Sequence, residues 1–443
     1  MPASLLFFLL ASLPLQEAAS QAATPGDGIK IWVAEHLGGL ERLYQGLHAR
    51  PELSFHEEKT AARLSGILEE SGFQVSEKIG GTGVVGILMN GPGPVVLVRT
   101  EMDALPVAEE TGLPFASTVR ALDDAGRPVG VMHACGHDVH MTVWSGTASF
   151  LGQHKELWKG TVVFIAQPAE ERGAGARQMI DGGLFTFFPK PDFTLALHVD
   201  SELPAGVVGY TPGYCYANVD SVDILVRGRG GHGSAPHTTH DPVALAARIV
   251  VGLQTIVSRE VDPLDKAVVT VGSIHGGTKH NIIPNDVKLQ LTVRSYTDEV
   301  RHQLLDGIRR VARGEAQAAG FPEDLLPVVK VLEEEYTPAA YNDPGLVERV
   351  NRVLVRELGS RNVVEVPPSM GGEDFGRYAA AAKVPGYMFR LGSIGRARWE
   401  AAQKPGAEPL PSLHTSRYAP LSETSIRTGV TAMTSALLEL LGA

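Results

Sequence analysis

Short apolar runs, separated by stretches with helical periodicity, constrain the fold of this chain most strongly. The runs occupy residues 84–88, 95–98, 162–166 and 193–197. Runs of this length and composition are typical of strands that are buried on both faces of a sheet. Because helical stretches near 138–152 and 174–184 lie between several of them, we predict an α/β domain with a mainly parallel sheet.

The middle of the chain predicts a different order: strand, helix, strand, strand, helix, strand. These elements cover residues 219–226, 241–260, 267–273, 287–295, 298–320 and 325–332. Asp241 stands where a residue would cap the first of these helices. The order βαββαβ is typical of a ferredoxin-like α+β unit, and it predicts an inserted domain over 216–331. The α/β domain is then split into residues 26–215 and 332–443.

The N-terminus has the pattern of a targeting segment. Residues 4–15 form an apolar run that is too short to span a bilayer, and small residues follow at 18–22. This pattern resembles a signal peptide comprising residues 1–22, which predicts export to a periplasm or to the medium. The alternative is an unprocessed segment on a cytoplasmic protein. No later stretch is expected to form a stable membrane span.

Composition argues against several classes of protein. The formal net charge is −11, and the chain has no run of Lys or Arg and no aromatic stacking platform, so a nucleic-acid partner is not expected. Only two cysteines occur, Cys135 and Cys215. A chain of 443 residues with so few is not a disulfide scaffold.

Residues 133–140 read His-Ala-Cys-Gly-His-Asp-Val-His, which concentrates one thiol, three imidazoles and a carboxylate. Sulfur and nitrogen donors at this density suit a transition metal. A pair of metal ions with a bridging water needs about five protein donors. Five candidates occur along the chain: Cys135, His137, Glu171, His198 and His414. Such a mixed set fits Zn, Mn, Co or Ni.

Several candidates directly follow predicted strands. Glu170 and Glu171 come just after the strand over 162–166, and His198 follows the strand over 193–197. Ligand sites in open α/β sheets lie outside the carboxyl ends of the strands, so these side chains are expected to converge. Glu170 would then be free to act as the general base of a hydrolysis. The alternative is that the adjacent glutamates form a solvated acidic turn.

Six motifs occur in the order found in one known family. They are MDALP at 102–106, HACGHD at 133–138, PAEE at 168–171, GGHG at 230–233, NIIP at 281–284 and GEDF at 372–375. Over residues 30–440 the chain resembles amidohydrolases of the hippurate hydrolase and indole-acetyl-amino-acid hydrolase type, within the aminoacylase and carboxypeptidase-like metallopeptidases. The resemblance implies a zinc-peptidase-like catalytic domain and an inserted lid domain through which two subunits form a homodimer.

The resemblance also implies roles for individual residues. Two divalent metal ions would be held by Cys135, His137, Glu171, His198 and His414. Glu170 would be the general base, and Asp103 would orient a ligand. His232, in the lid, would reach the partner subunit's site and stabilise an oxyanion. The substrate would contact Asn281, Arg294, Gly371 and Gly372. One departure stands out, because Glu101 occupies a position that is usually aspartate in the family.

Together these features predict a metal-dependent amidohydrolase that cleaves N-acyl or N-aroyl amino acids, or related dipeptide-like amides. A dipeptidase or carboxypeptidase of the same family is the alternative closest to it. A thiol hydrolase with Cys135 as nucleophile is a further alternative, but a thiolate bound to a metal is poorly free to attack. A non-catalytic metal-binding protein would be expected to lack Glu170 or one of the ligands, and this chain has all of them.

Overall fold

A computed structural model describes residues 25–442 of the chain. The predicted signal peptide over 1–22 lies outside these residues. In chain order, the strands are β1 Gln74–Ser76, β2 Val84–Asn90, β3 Val95–Glu101, β4 Arg120–Leu122, β5 Pro128–Gly130, β6 Gly160–Gln167, β7 Phe193–Pro204, β8 Val208–Tyr210, β9 Gly213–Tyr216, β10 Asn218–Arg227, β11 Gly231–His232, β12 Ala267–His275, β13 Ile282–Ile283, β14 Asp286–Ser295, β15 Val328–Val331, β16 Ala340–Asn342, β17 Val363–Glu365 and β18 Gly386–Ile394.

The α-helices flank these strands. In chain order they are α1 Pro25–His48, α2 Glu58–Glu70, α3 His137–Gln153, α4 Gly175–Asp181, α5 Leu184–Phe187, α6 Pro242–Thr255, α7 Asp298–Ala318, α8 Pro344–Leu358, α9 Gly376–Ala382, α10 Arg396–Ala402 and α11 Ser422–Leu441.

The largest sheet has eight strands in the order β1-β2-β6-β3-β7-β18-β8-β17. Its four central strands, β6, β3, β7 and β18, are parallel, which confirms the predicted mainly parallel α/β sheet. The pairs β1–β2, β2–β6 and β8–β18 are antiparallel. Alternate residues of β3 enter different cores: Val96 and Val98 face the helices α1, α3 and α11, whereas Leu97 faces α4 and α9. Both faces of the sheet are therefore covered.

A second sheet has four strands. In the sequence, it lies between β8 and β17 of the large sheet. Its order is β12-β14-β10-β15, and all its pairs are antiparallel. With α6 and α7 it forms the chain order β10-α6-β12-β14-α7-β15 and has its own apolar core. Asp241 caps α6 by accepting hydrogen bonds from the amides of Val243 and Ala244. The last strand is shorter than expected, because residues 323–325 form a 3₁₀ turn before it. We call this unit the inserted unit; its exact boundaries and its lid role stay predictions.

Among residues 25–442, one helical segment is long and apolar enough to cross a membrane. It is Pro242–Glu260, the helix α6 with the π-helical turn that follows it, and 33% of its most apolar window is buried. Its buried side chains, Leu245, Ile249 and Leu253, belong to the core of the inserted unit. From the sequence we expected no later stretch to be long and apolar enough for a membrane span. The segment is that apolar because one of its faces packs in the core of the inserted unit.

Candidate metal centre and active site

The HACGHD motif forms a tight turn at the start of α3. Gly136 has φ +78°, and the helix begins at the next residue, His137. A Cβ at position 136 would lie 2.6 Å from Cγ2 of Val199, so both the left-handed backbone and the close approach require glycine. Cys135 and His137 therefore flank a turn that the packing against β7 determines.

Two of the predicted ligands are oriented by backbone carbonyls. Nδ1 of His137 donates to the carbonyl oxygen of Asp103 at 2.7 Å, and Nδ1 of His198 donates to the carbonyl oxygen of Val199 at 2.8 Å. Each ring then has an unprotonated Nε2 in its neutral form, which is the arrangement that metal-binding histidines adopt. Nε2 of His137 and Oε1 of Glu171 are buried and have no hydrogen-bond partner among residues 25–442. Buried polar atoms without a partner fit a metal site, in which the neutral imidazole and the carboxylate would bind the ion.

The five predicted ligands converge. Sγ of Cys135 lies 3.5 Å from Nε2 of His198 and 3.2 Å from Nε2 of His414. Oε1 of Glu171 lies 3.4 Å from Nε2 of His414 and 3.9 Å from Nε2 of His137. Cys135, His137 and Glu171 already form a group whose donor atoms lie within 4.8 Å of one another. One thiol, three imidazoles and one carboxylate at these separations suit a pair of divalent ions.

The charges of this cluster favour a cation. Burial and the carboxylates of Glu171 and Glu170 raise the pKa of the Cys135 thiol well above its usual range. Burial also lowers the pKa of His137, but the charge of Glu101 and the hydrogen bond to Asp103 outweigh it and raise this pKa to about 10. Because a thiolate and a neutral imidazole are the forms that bind a metal, metal binding by Cys135 and His137 would release protons.

Glu170 and Glu171 form a 3₁₀ turn after β6 whose amides are held by one carboxylate. The amide of Glu170 donates to Oδ1 of Asp103 at 3.1 Å, and that of Glu171 donates to Oδ2 at 3.0 Å. Asp103 thus has two roles. Its side chain orients the turn, and its backbone carbonyl orients the ring of His137. Ala169, just before the turn, has φ +48°, and its amide donates to Oε1 of Glu57 at 2.9 Å. Glu170 is 9% exposed, which argues against a solvated acidic turn.

A buried charge network underlies the turn. Arg99 contacts Glu101 at 3.0 Å, Glu373 at 2.8 Å and Asp374 at 3.1 Å. The longer side chain of Glu101 also places Oε1 2.7 Å from Nδ1 of His140. Because Nε2 of His140 accepts the amide of Val199 at 2.8 Å, both nitrogens of this ring are engaged within the protein.

A cavity of about 770 Å³ opens above the cluster. Its lining includes predicted site residues from both parts of the chain: Cys135, Glu170, Glu171, His198, Arg294, Gly371, Gly372 and His414. Arg294 lies on β14 of the inserted unit, and its Nη1 donates to the carbonyl oxygen of Met370 at 2.7 Å. The inserted unit therefore contributes one wall of the cavity.

The structure does not bring two of the predicted residues to this cavity. His232 and Asn281 are exposed. His232 lies on the small antiparallel ribbon of β11 and β13, and Asn281 directly precedes β13, where its carbonyl oxygen accepts the amide of Gly233. Neither lines the cavity. Nδ1 of His232 accepts the amide of Ser234 at 3.1 Å, so the neutral ring carries its proton on the exposed Nε2.

Sequence reasoning missed two residues at the site. Glu57 joins the amides of Phe55 and Ala169, which are distant in the sequence. Arg390, on β18, lines the cavity next to His198. The sequence shows Arg390 as a cation inside the apolar segment 386–391. It does not show that this residue lies beside His198, because that depends on how the two strands pair.

Comparison with known proteins agrees with this geometry. The sequence model of peptidase family M20/M25/M40 matches residues 97–413. The chain is 38% identical over 351 residues to thermostable carboxypeptidase 2 of Saccharolobus solfataricus, covering 78% of this chain and 84% of that protein. It is 36% identical over 364 residues to the N-acetylcysteine deacetylase of Bacillus subtilis, covering 81% and 90%. A dinuclear metal-binding M20 peptidase from Bacillus subtilis superposes with a TM-score of 0.74 at 30% identity, covering 92% and 99%.

Proposed function

We propose that this chain, which belongs to peptidase family M20/M25/M40, hydrolyses the amide bond of N-acyl and N-aroyl amino acids. That it is a metal-dependent hydrolase of amide bonds with a pair of divalent ions follows from the family and the donor cluster. The proposal concerns the substrate and the residues that act on it. The observation that carries it is the convergence of five metal-type donors beside Glu170 in one cavity.

Each residue near the cluster has a defined task in this proposal. When bound by Cys135, His137, Glu171, His198 and His414, the metal pair supplies a Lewis acid and lowers the pKa of water. Oε2 of Glu170, 3.8 Å from Nε2 of His137, accepts the proton of the attacking water and delivers it to the leaving amine. Asp103 holds the turn on which Glu170 lies, and Gly371 and Gly372 line the same cavity, where the substrate would contact them.

The inserted unit completes the site in this proposal. Arg294 lines the cavity and presents a guanidinium that suits the substrate's α-carboxylate. His232 and Asn281 lie outside their own subunit's cavity, so we assign them to the cavity of a partner subunit in a homodimer. There the exposed Nε2–H of His232 would donate to the oxyanion that forms on the scissile carbonyl.

A carboxypeptidase activity on N-blocked dipeptides is the second candidate. The 38% identical relative from Saccharolobus solfataricus carries that name, and the cavity of about 770 Å³ has room for a second residue. Both reactions use the same centre and differ only in the acyl group that the cavity accepts.

The test is amine release from a panel of N-acetyl, N-benzoyl and N-blocked dipeptide substrates, with metal-loaded and chelator-stripped protein. We expect release only from the metal-loaded protein, with the simple N-acyl amino acids turned over faster than the dipeptides. Faster turnover of the dipeptides would select the carboxypeptidase. A metal-loaded protein that releases no amine from any of them would overturn the proposal.

We also propose that the chain is exported after removal of residues 1–22, as the apolar run and the small residues that follow it suggest. Expression of the full chain, followed by cell fractionation and N-terminal sequencing of the product, tests this. A product that starts near residue 21 or 23 outside the cytoplasm supports export. Intact Met1 on a cytoplasmic protein contradicts it.

A further inference from the structure

We propose that Arg390 forms an anion subsite in the cavity and that the preferred substrates carry a second carboxylate besides their α-carboxylate. This inference rests on the function proposed above and narrows it to a substrate class. The subsite consists of the Arg390 guanidinium, the Tyr216 ring beneath it and the open cavity in front of it.

The position of Arg390 follows from the register of two parallel strands. Arg390 on β18 pairs with His198 on β7. Paired residues on neighbouring strands project from the same face of a sheet, with their backbones about 4.8 Å apart. Both side chains line the cavity, and the ring of Tyr216 lies 6.4 Å from that of His198. A cation therefore stands directly beside a predicted metal ligand.

The guanidinium of Arg390 is poorly satisfied by the protein. Its contacts are Oδ2 of Asp200 at 3.4 Å and the carbonyl oxygen of Cys215 at 3.5 Å, both at the long limit for hydrogen bonds. Its carbon Cζ lies 5.2 Å from the centroid of Tyr216. An arginine has five N–H donors in a planar fork that matches a carboxylate. Among residues 25–442, these two long contacts leave most of the donors without a hydrogen-bond partner, and the residue lines the cavity.

Two other arginines show what structural pairing looks like in this chain. Arg99 contacts two carboxylates at 2.8 and 3.1 Å. Arg301 holds both oxygens of Asp220 at 2.6 to 3.0 Å. Within residues 25–442, Arg390 has neither a short contact nor a bidentate partner, although its side chain is only 13% exposed. A desolvated, loosely paired cation at the wall of a cavity is suited to an anion that arrives from outside.

Besides Arg172, which is paired with Asp124, the cavity is lined by two further arginines, Arg390 on the large sheet and Arg294 on the inserted unit. If Arg294 binds the α-carboxylate, Arg390 is left for another anionic group. That group is a carboxylate either on the amino acid's side chain or on the acyl chain. N-acyl-glutamate represents the first source, and an N-succinyl amino acid represents the second.

The experiment compares each dianionic substrate with a neutral partner of similar size. The pairs are N-acetyl-glutamate with N-acetyl-glutamine, and N-succinyl-alanine with N-valeryl-alanine. For at least one pair, we expect metal-loaded protein to prefer the dianion in kcat/KM. In Arg390→Gln this preference should fall by about 10- to 100-fold, as expected for a lost hydrogen bond between charged groups. Turnover of N-acetyl-methionine by the same variant measures the part of any rate change that does not depend on a second carboxylate. The pair that loses its preference identifies which carboxylate Arg390 binds.

Two variants serve as controls. Arg172 also lines the cavity, but it is exposed and paired with Asp124 at the rim, so Arg172→Gln should retain the preference. If Arg390 only balances the charge of Asp200, then Asp200→Asn and Arg390→Gln should change the preference for the dianionic substrate in the same way. If Arg390 binds substrate, Asp200→Asn should strengthen the preference, because it releases the guanidinium from its one charged contact.

Binding gives a readout that does not need turnover. Calorimetry on metal-loaded Glu170→Gln, with and without Arg390→Gln, should show the same loss of preference for a dianion. With Arg390 present, each dianionic substrate is compared with its neutral partner. If kcat/KM, or the binding affinity, is equal within both pairs, the subsite is overturned and the proposed function is left intact. Absence of turnover for all substrates, including N-acetyl-methionine, would overturn the proposed function; the calorimetric comparison would still decide the subsite.

Discussion

The metal centre and the β11–β13 ribbon differ in how completely a single chain builds them. At the centre, His137 and His198 are buried and each is oriented by a backbone carbonyl. On the ribbon, His232 and Asn281 are exposed and line no part of their own cavity. Under the proposed function, the metal ligands come from one folded chain, whereas the oxyanion donor His232 would come from a partner subunit.

Removing a predicted metal ligand should disturb the centre more than any change on the ribbon. Cys135→Ser should lower metal affinity by more than about 100-fold and abolish turnover, since a hydroxyl replaces a thiolate donor. Metal content and amine release are the measurements. Cys215→Ser is the matched control, because Cys215 is also buried but its Sγ only donates to the carbonyl oxygen of Ala340. A full metal complement with unchanged affinity in Cys135→Ser would contradict the ligand assignment.

The second prediction concerns the ribbon. His232→Ala should lower kcat/KM by about 10²- to 10³-fold, as the loss of an oxyanion donor does, and should leave metal content unchanged. His237→Ala, which changes a nearby exposed histidine, is the control.

Subunit exchange tests whether His232 acts in the partner's site. An equal mixture of His232→Ala and Glu170→Gln subunits should recover about a quarter of the wild-type rate, because half of randomly formed dimers have one intact composite site. No recovery after subunit exchange would place His232 outside the partner's site.

The third prediction concerns Glu57, which positions the turn of the general base. Glu57→Ala leaves the amides of Phe55 and Ala169 without their acceptor, at a cost of about 1–3 kcal/mol. We expect kcat to fall by about 10-fold or more while metal content and KM change little. Glu57→Gln keeps an acceptor oxygen and should restore most of the rate. Equal rates in Glu57→Ala and wild type would remove the positioning role.

The smallest effect is on stability and depends on pH. Burial lowers the pKa of His48, but the hydrogen bonds to Asp138 and Glu109 outweigh it and raise this pKa to about 10. The protonated ring therefore stabilises the fold fully below pH 6.5, its unfolded pKa, and this contribution is lost as the pH rises towards 10. We expect the free energy of unfolding to decrease over this window and to vary less in His48→Gln. Urea unfolding at several pH values tests this.

The central strands and most of the site were predictable because they depend on local patterns and one general rule. Apolar runs identify β3, β6 and β7, and strand ends place Glu171 and His198 together. The edge strands of the large sheet, the three-residue β1 and β17, are too short to show a period. Arg390 and Glu57 were missed because their roles depend on strand register and on contacts between distant segments, which no local pattern contains.

The most direct test of the account compares two adjacent carboxylates on the same turn, in metal-loaded Glu170→Gln and Glu171→Gln. We expect Glu170→Gln to keep two divalent ions per subunit and lose turnover, whereas Glu171→Gln should lose metal and, with it, turnover. Metal content by elemental analysis, together with amine release from an N-acetyl amino acid, separates the two. Substantial turnover in Glu170→Gln, or a full metal complement in Glu171→Gln, would contradict the division of roles on which the account rests.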